Sequence, residues 1–165
     1  MVIVDTSVLV NFLLIDRIDL ISHLTDDFAI TSHVPDEIST HFPDLNQSLV
    51  KPLRNGSIAE LTVADPSELF LFRGFVSTGR LGVGECSAIA AAIHRRCGLA
   101  LDRTRAHQDA LSSYPTLDIK GTVDMMLLTI EEGLVSIPEC DSFKLLLENQ
   151  HGIRFNTKSF AELLG

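Results

Sequence analysis

Residues 1–14 read MVIVDTSVLVNFLL, a short apolar run that stops at Asp5 and resumes with a different spacing. The β-branched residues before Asp5 predict a buried strand. Thr6 and Ser7 can cap the helix that follows, whose apolar residues recur on one side. A strand that leads directly into a helix is the basic unit of an α/β fold, and here it leaves an aspartate at the strand's carboxyl end.

The same alternation of strand and helix continues to about residue 120. Further strands are predicted at Phe28–Thr31, Ala59–Val63, Leu99–Leu101 and Thr116–Ile119. Helices are predicted at 16–24, from Ser32 with Pro35 in the first turn, and at 66–76, 85–96, 104–111, 122–132, 142–150 and 157–164. Residues 43–57, which contain Pro, Asn and Gly, predict a loop or a short helix. This order implies an α/β domain with a parallel sheet covered on both faces.

The composition fits a single globular domain of 165 residues, with 45% hydrophobic and 21% charged residues. The net charge of -9 argues against binding nucleic acid through a broad basic face. It is compatible with an enzyme that gathers carboxylates around divalent cations.

Three features predict a soluble, cytoplasmic protein that does not enter a membrane. The three cysteines form no CxxC pair and are expected as reduced thiols. No basic residues precede the first apolar run, as a signal peptide requires. That run is also far too short to span a membrane.

Four acidic residues stand at matching places in the predicted fold. Asp5 and Asp102 each follow a strand, and the carboxyl ends of parallel strands form the ligand crevice of such sheets. Glu37 and Glu85 lie near the starts of predicted helices, where the dipole favours negative charge. Each residue alone is equally explained as a helix cap or a first-turn charge.

Taken together, the four carboxylates can converge at one edge of the sheet. Like charges held close together are costly unless a cation neutralises them. Oxygen-rich sites suit Mg2+ or Mn2+, and such ions can activate a water for phosphodiester hydrolysis.

Four segments in this order resemble a PIN domain. They are VDTSVL at the start, the helix carrying Glu37, GECSAIAAA at 84–92, and LALD at 99–102 before a helix. Gly121-Thr122-Val123 also resembles the family's GT turn, and the GExxAI form is similar to a toxin-like subgroup found beside small antitoxin genes. The resemblance is strongest over 1–136 of a single domain covering 1–165, and it leaves 137–165 as a C-terminal helical extension.

The resemblance implies a three-layer α/β/α sandwich with a central parallel sheet and an endoribonuclease that uses Mg2+ or Mn2+. It implies Asp5, Glu37, Glu85 and Asp102 as the catalytic and metal-binding residues, with Thr6 or Ser7 ordering the site. It also implies an RNA substrate, a small antitoxin as partner, and a homodimer.

The sequence departs from the family pattern at two places. Arg103 follows Asp102, where the family often has a second acidic residue, so the metal set is smaller or a phosphate contact replaces it. Arg103 and Arg105 are therefore candidates for binding substrate phosphate. Asp124 stands where a small or apolar residue is expected, and a first-turn helix charge explains it.

Other functions are weighed against this one. A phosphatase with Asp5 as nucleophile is disfavoured because Ser7 stands where such enzymes usually carry a second Asp. A non-catalytic PIN-like scaffold that binds RNA or protein is compatible with Arg103 and with the negative charge.

Histidine spacing gives weaker signals than the carboxylates. His33, Glu37 and His41 are spaced by four, but Pro35 is expected to begin the helix and to leave His33 outside it. The remaining histidines, including His107, have no ligand spacing and are expected at exposed or edge positions.

Overall fold

In the computed structural model, which describes residues 1–104, 107–108 and 111–165, five parallel strands form one sheet. They are β1 (Val2–Val4), β2 (Phe28–Thr31), β3 (Ala59–Leu61), β4 (Gly98–Ala100) and β5 (Ile119–Lys120). Their order is β3-β2-β1-β4-β5. The chain moves outward from β1 through β2 to β3, then returns to the other side of β1 for β4. The carboxyl ends of β1 and β4 therefore flank the point where the strand order reverses, which is where open α/β sheets place their ligands.

Helices cover the sheet on both sides, so the predicted α/β/α sandwich with a parallel sheet is confirmed. They are α1 (Thr6–Leu14), α2 (Ile18–His23), α3 (His33–His41), α4 (Asn46–Arg54), α5 (Pro66–Ser77), α6 (Val83–Arg95), α7 (Thr122–Glu131), α8 (Ile137–His151) and α9 (Ala161–Leu164), with a 3-10 turn at Pro43–Leu45. Within the described residues, no helix combines the length and apolar character needed to cross a membrane.

The alternation of side chains along each strand divides the core into two layers. Val2 and Val4 of β1 pack among α1, α2, α7 and α8, whereas Ile3 faces α5 and α6 on the other side. Because both faces are buried, the strands are apolar throughout, as the sequence predicts for a parallel sheet. The alanines of α6 are fully buried, and their small side chains let this helix lie close to β1, β2 and β4.

Several boundaries differ from the prediction because capping contacts decide them. Asp5, and not Thr6 or Ser7, caps α1. Helix α6 runs from Val83 to Arg95, where 85–96 is predicted, and its C-cap is Arg96 in a left-handed conformation (φ 54°). The helix expected at 142–150 begins at Ile137, where Ser136 and Glu139 form a capping box.

The less periodic segments form short elements. Residues 46–54, where a loop or a short helix is predicted, form a helix that includes Pro52, and its Leu49 is buried in the core. The strand expected at 116–119 is limited to Ile119–Lys120, and the helix expected at 157–164 is limited to Ala161–Leu164. Of the helix expected at 104–111, His107 and Gln108 are helical, while residues 105, 106, 109 and 110 lie outside the described residues.

An ion pair between a buried glutamate of α5 and an arginine of α6 joins these two helices. Glu68 has no exposed surface, and its Oε1 accepts a 2.8 Å hydrogen bond from Arg95 Nε. Arg95 Nη2 also donates to Glu68 Oε2 at 3.2 Å and to the carbonyl of Thr62 at 3.2 Å. Removing one partner of such a pair leaves the other charge buried without compensation.

We expect Arg95→Met to lower the free energy of unfolding by about 2–4 kcal/mol, because it leaves the Glu68 carboxylate uncompensated. Arg17→Met is the matched control. Arg17 Nε donates to Asp19 at 3.0 Å, but the Asp19 side chain is 46% exposed, so its loss should be about 1 kcal/mol or less. Urea denaturation of both variants measures the difference, and equal losses would show that the Glu68 pair contributes no more than a surface pair.

Candidate functional site

Asp5 and Asp102 lie side by side at the carboxyl ends of β1 and β4, and Ser7 links them. The Ser7 hydroxyl donates to Asp5 Oδ2 at 2.7 Å and accepts from the backbone N–H of Asp102 at 3.3 Å. The Asp5 N–H in turn donates to the carbonyl of Ala100 at 2.9 Å. The two strand ends are thus joined by both backbone and side-chain contacts.

Asp5 is fully buried, and its two carboxylate oxygens have different surroundings. Oδ2 accepts from the N–H and hydroxyl of Ser7 and so caps α1. Oδ1 is buried and has no hydrogen-bond partner among the residues that the structure describes. Burial raises the pKa of Asp5 to about 6 against the lowering effect of Ser7, and the negative charge of Glu85 raises it further. Asp5 is therefore a helix cap that also presents an unsatisfied oxygen.

Glu37, on the middle of α3, reaches toward the first residues of α6. Its Oε2 accepts a 2.8 Å hydrogen bond from the Thr6 hydroxyl. A Cβ at Gly84 would collide with that same oxygen, so only glycine at this position allows the close approach. A Cβ at Gly82 would lie 3.1 Å from Glu37 Oε1 and 3.5 Å from Glu85 Oε2, which shows that the two glutamates face the same point.

Glu85 is held from both sides at the start of α6. Its Oε2 accepts from the Gly82 N–H at 2.7 Å, so the Glu85 side chain satisfies the backbone donor of the N-cap residue. Its Oε1 lies 3.3 Å from His107 Nε2. The contact with His107, followed by the hydrogen bond from Gly82, holds the pKa of Glu85 below its usual range despite partial burial.

His107 is a site residue that the sequence did not reveal, and the expected exposed position was wrong. Its side chain is 1% exposed. The Thr104 N–H donates to His107 Nδ1 at 2.9 Å, which places the proton of the neutral ring on Nε2, the atom nearest Glu85. The Nε2–Oε1 contact has the length of an ion pair without the alignment of a good hydrogen bond. No spacing rule links positions 85 and 107.

Asp102 is fixed by the start of α7 and by α1. Its Oδ1 accepts from the Thr122 N–H at 2.7 Å, and its Oδ2 accepts from the Thr122 hydroxyl at 2.7 Å. Asn11 Nδ2 donates to the same Oδ2 at 3.1 Å and to the Thr122 hydroxyl oxygen at 2.8 Å. Gly121 permits this approach, because a Cβ there would lie 3.0 Å from Asp102 Oδ1. Asn11 was also missed by sequence reasoning, since it reads as one polar residue within an apolar helix.

The remaining predicted residues have varied positions. Arg103 is exposed directly beside Asp102, whereas Arg105 lies outside the described residues. Asp124 accepts from the Gly121 N–H at 2.7 Å, so it is a capping charge at the start of α7. His33 is the first residue of α3, contrary to expectation, and its ring packs against Phe72 with centroids 4.9 Å apart.

The chemistry of the donor set fits a hard divalent cation. Carboxylate oxygens are the ligands such ions prefer, and Asp5 offers a buried oxygen that has no partner among the described residues and lies beside the charge of Glu85. A cation there would compensate both the burial and the repulsion. As the side chains stand, no three His, Cys, Asp or Glu side chains in the described ranges form a group that could hold a metal ion.

Comparison with known proteins gives one match. A family model described as a PIN domain matches residues 1–165, which includes the C-terminal helical segment. No curated protein and no solved structure matches the chain.

The raised pKa of Asp5 makes stability depend on pH in a calculable direction. The folded pKa is about 6 against an ordinary 3.8, so ionising Asp5 destabilises the folded state. This cost is absent below about pH 4, develops as the pH rises to about 6, and reaches about 3 kcal/mol above it. In EDTA, Asp5→Asn should therefore be more stable than wild type near pH 7.5 and equal to it near pH 4.

Urea denaturation of both proteins across this pH range measures the effect. Asp27→Asn is the control, because Asp27 is exposed and lies at the amino end of β2, away from the carboxyl ends of the strands. A stability difference between wild type and Asp5→Asn that does not change with pH would contradict the raised pKa.

Proposed function

Since the chain belongs to the PIN-domain family, we propose that it is a divalent-metal-dependent endoribonuclease that acts at the carboxyl ends of β1 and β4. The observation that carries the proposal is the state of Asp5: a fully buried carboxylate with one unpartnered oxygen among the described residues, beside a second negative charge. Capping of α1 explains the oxygen that bonds to Ser7, and a bound cation would compensate the other oxygen and the neighbouring negative charge.

Asp5, Glu37, Glu85 and Asp102 would hold Mg2+ or Mn2+. When bound, the ion supplies charge stabilisation at phosphate oxygens and lowers the pKa of a water, which are the requirements of phosphodiester hydrolysis.

The other residues of the site position these carboxylates. Thr6, Ser7 and Thr122 each donate a hydroxyl hydrogen bond to one of them, at 2.8, 2.7 and 2.7 Å respectively. His107 borders the fourth, Glu85. Side chains that are already oriented lose little freedom when a ligand binds, so binding energy is not spent on ordering them.

Substrate binding needs positive charge near an acidic edge. Arg103 is exposed and directly follows Asp102, so we assign it a contact with a substrate phosphate. We assign Arg105 the same role on its position in the sequence. Two local cations beside a metal ion allow a chain of net charge -9 to bind RNA without a broad basic face.

The biological setting is proposed from sequence resemblance. The GExxAI form at 84–89 supports a cytoplasmic toxin-like ribonuclease that pairs with a small antitoxin protein and acts as a homodimer.

A non-catalytic scaffold that binds RNA or protein is the second candidate function. Both oxygens of Asp102 already accept hydrogen bonds within the protein. In addition, no ready group of three ligating side chains occurs in the part of the chain that the structure describes. Both observations favour a site whose carboxylates only stabilise the fold.

Cleavage of structured RNAs by the purified protein separates the two functions. We expect wild type to cleave with Mn2+ or Mg2+ and to be inactive in EDTA, and Asp5→Asn to lose at least about 100-fold in rate. Asp27→Asn changes the same type of residue at the amino ends of the strands, and this variant should retain wild-type activity.

Metal binding is measured on the same proteins by thermal unfolding with and without Mn2+. A ligand that binds only the folded state raises the melting temperature, and Asp5→Asn should abolish the rise. Absence of both cleavage and stabilisation in wild type would refute the nuclease and favour the scaffold.

A further inference from the structure

A groove of about 490 Å3 opens beside the carboxyl ends of β1 and β4, and its polar lining includes Asp102, Thr6, Ser7 and Asn11. This volume lies within the range of small-ligand sites, roughly 300–1,000 Å3. The groove is continuous with the proposed catalytic carboxylates, because Asp102 and Ser7 belong to both.

The rest of the groove is apolar except for His151 and comes from three separate parts of the chain. Val10 and Leu14 of α1 contribute one side. Phe42, the residue between α3 and the 3-10 turn, contributes an aromatic ring that is 38% exposed. His151 at the end of α8 and Ile153 beyond it complete the lining. The C-terminal segment thus has a place beside the site.

The charges around the groove select against a phosphate. The Asp102 carboxylate lines it, and so does His151, the last residue of α8, where the helix dipole is negative. Both the carboxylate and the dipole disfavour an anion. A neutral, planar group with one polar edge matches the apolar walls, the aromatic ring of Phe42 and the polar residues of the lining.

We propose that this groove binds one unpaired base of the RNA substrate, next to the phosphate that is cut, with the base stacked on Phe42. The inference rests on the proposed ribonuclease function. Any phosphodiester placed at Asp102 has a base attached to the neighbouring ribose, and the groove is the apolar space adjacent to that position. Bases of single-stranded RNA are commonly recognised by stacking on aromatic side chains.

The proposal also names the substrate class. A base must leave a duplex to enter a groove of this kind, so the enzyme should cut loops, bulges or single strands and spare continuous helices. The chain has no Trp and one Tyr, which leaves Phe as its main source of exposed stacking surface.

The test pairs protein variants with abasic RNA. After the cut site of an unstructured oligonucleotide is mapped, a set of oligonucleotides carries a single abasic residue at each position around it. Wild type, Phe42→Ala and Phe42→Leu are compared, and Phe42→Leu keeps apolar volume while removing the stacking face. Phe70→Ala is the matched control, because Phe70 is 79% exposed on α5 and does not line the groove.

We expect Phe42→Ala and Phe42→Leu to lower kcat/KM on the intact RNA by roughly 5- to 100-fold, the usual effect of one stacked base. Wild type should show a similar loss at one abasic position and none elsewhere. At that position the Phe42 variants should lose nothing more, because the base and the ring act as one pair. Mn2+-dependent stabilisation should be unchanged in both variants.

Three results would overturn the inference while leaving the nuclease intact: wild-type cleavage by both Phe42 variants, independent losses from the variants and the abasic position, or equal cleavage of duplex and single strand. A Phe42 variant that cleaves normally but no longer binds a protein partner would assign the groove to that partner instead. If wild type cleaves nothing, the proposed function fails separately. Fluorescence anisotropy with the same oligonucleotides then tests the groove, and binding that does not depend on Phe42 overturns the inference.

Discussion

Burial of the Asp5 carboxylate at the end of the central strand constrains the whole of this edge of the molecule. A carboxylate removed from water is costly unless it is paired, and Ser7 donates two hydrogen bonds to one oxygen of Asp5. Because the Ser7 hydroxyl also accepts from the N–H of Asp102, the same group that satisfies Asp5 fixes β1 against the end of β4. One hydroxyl group therefore both hydrogen-bonds the buried carboxylate and holds the neighbouring strand in place.

The other carboxylates repeat this arrangement from different elements. A threonine at a helix start donates to Glu37 and another donates to Asp102. Glu85 instead accepts a hydrogen bond from the Gly82 N–H and lies in contact with His107. Glycines stand wherever a carboxylate approaches the backbone most closely, at Gly84 and Gly121. Negative charge is thus concentrated on side chains that have little freedom to move apart. Such an arrangement lowers the stability of the fold and suits a site for a cation.

The energetic cost of these buried and crowded carboxylates is offset by the hydrophobic core elsewhere in the fold. The sheet is buried on both faces, with α6 against one face through its alanines and α1, α2, α7 and α8 against the other. Helix α8 contributes to that core through Cys140 and Leu147, and its last residue, His151, lines the groove together with Asp102. One element therefore serves both the core and the surroundings of the site, which gives the C-terminal segment a physical reason to be part of the domain.

The sequence alone determined the features that depend on near neighbours. The apolar runs of β1 and β2, the helical spacing of α1 and α6, and the aspartates that end β1 and β4 are all local patterns, and the fold class follows from their order. The same locality placed Asp5 and Asp102 at strand ends and Glu85 near a helix start, whereas Glu37 lies in the middle of α3 and not near its start. For residues 46–54 local reasoning left a loop and a short helix open, and burial of Leu49 accompanies the helix that forms despite Pro52.

Only the tertiary structure decided which side chains complete the site. Asn11 bonds to Asp102 across 91 positions, and His107 meets Glu85 across the packing of α6 on the sheet. The orphaned oxygen of Asp5 and the groove beside Phe42 likewise arise from how separate elements meet. Such features have no period and no motif in the chain, because they depend on distances that exist only after the strand order is set.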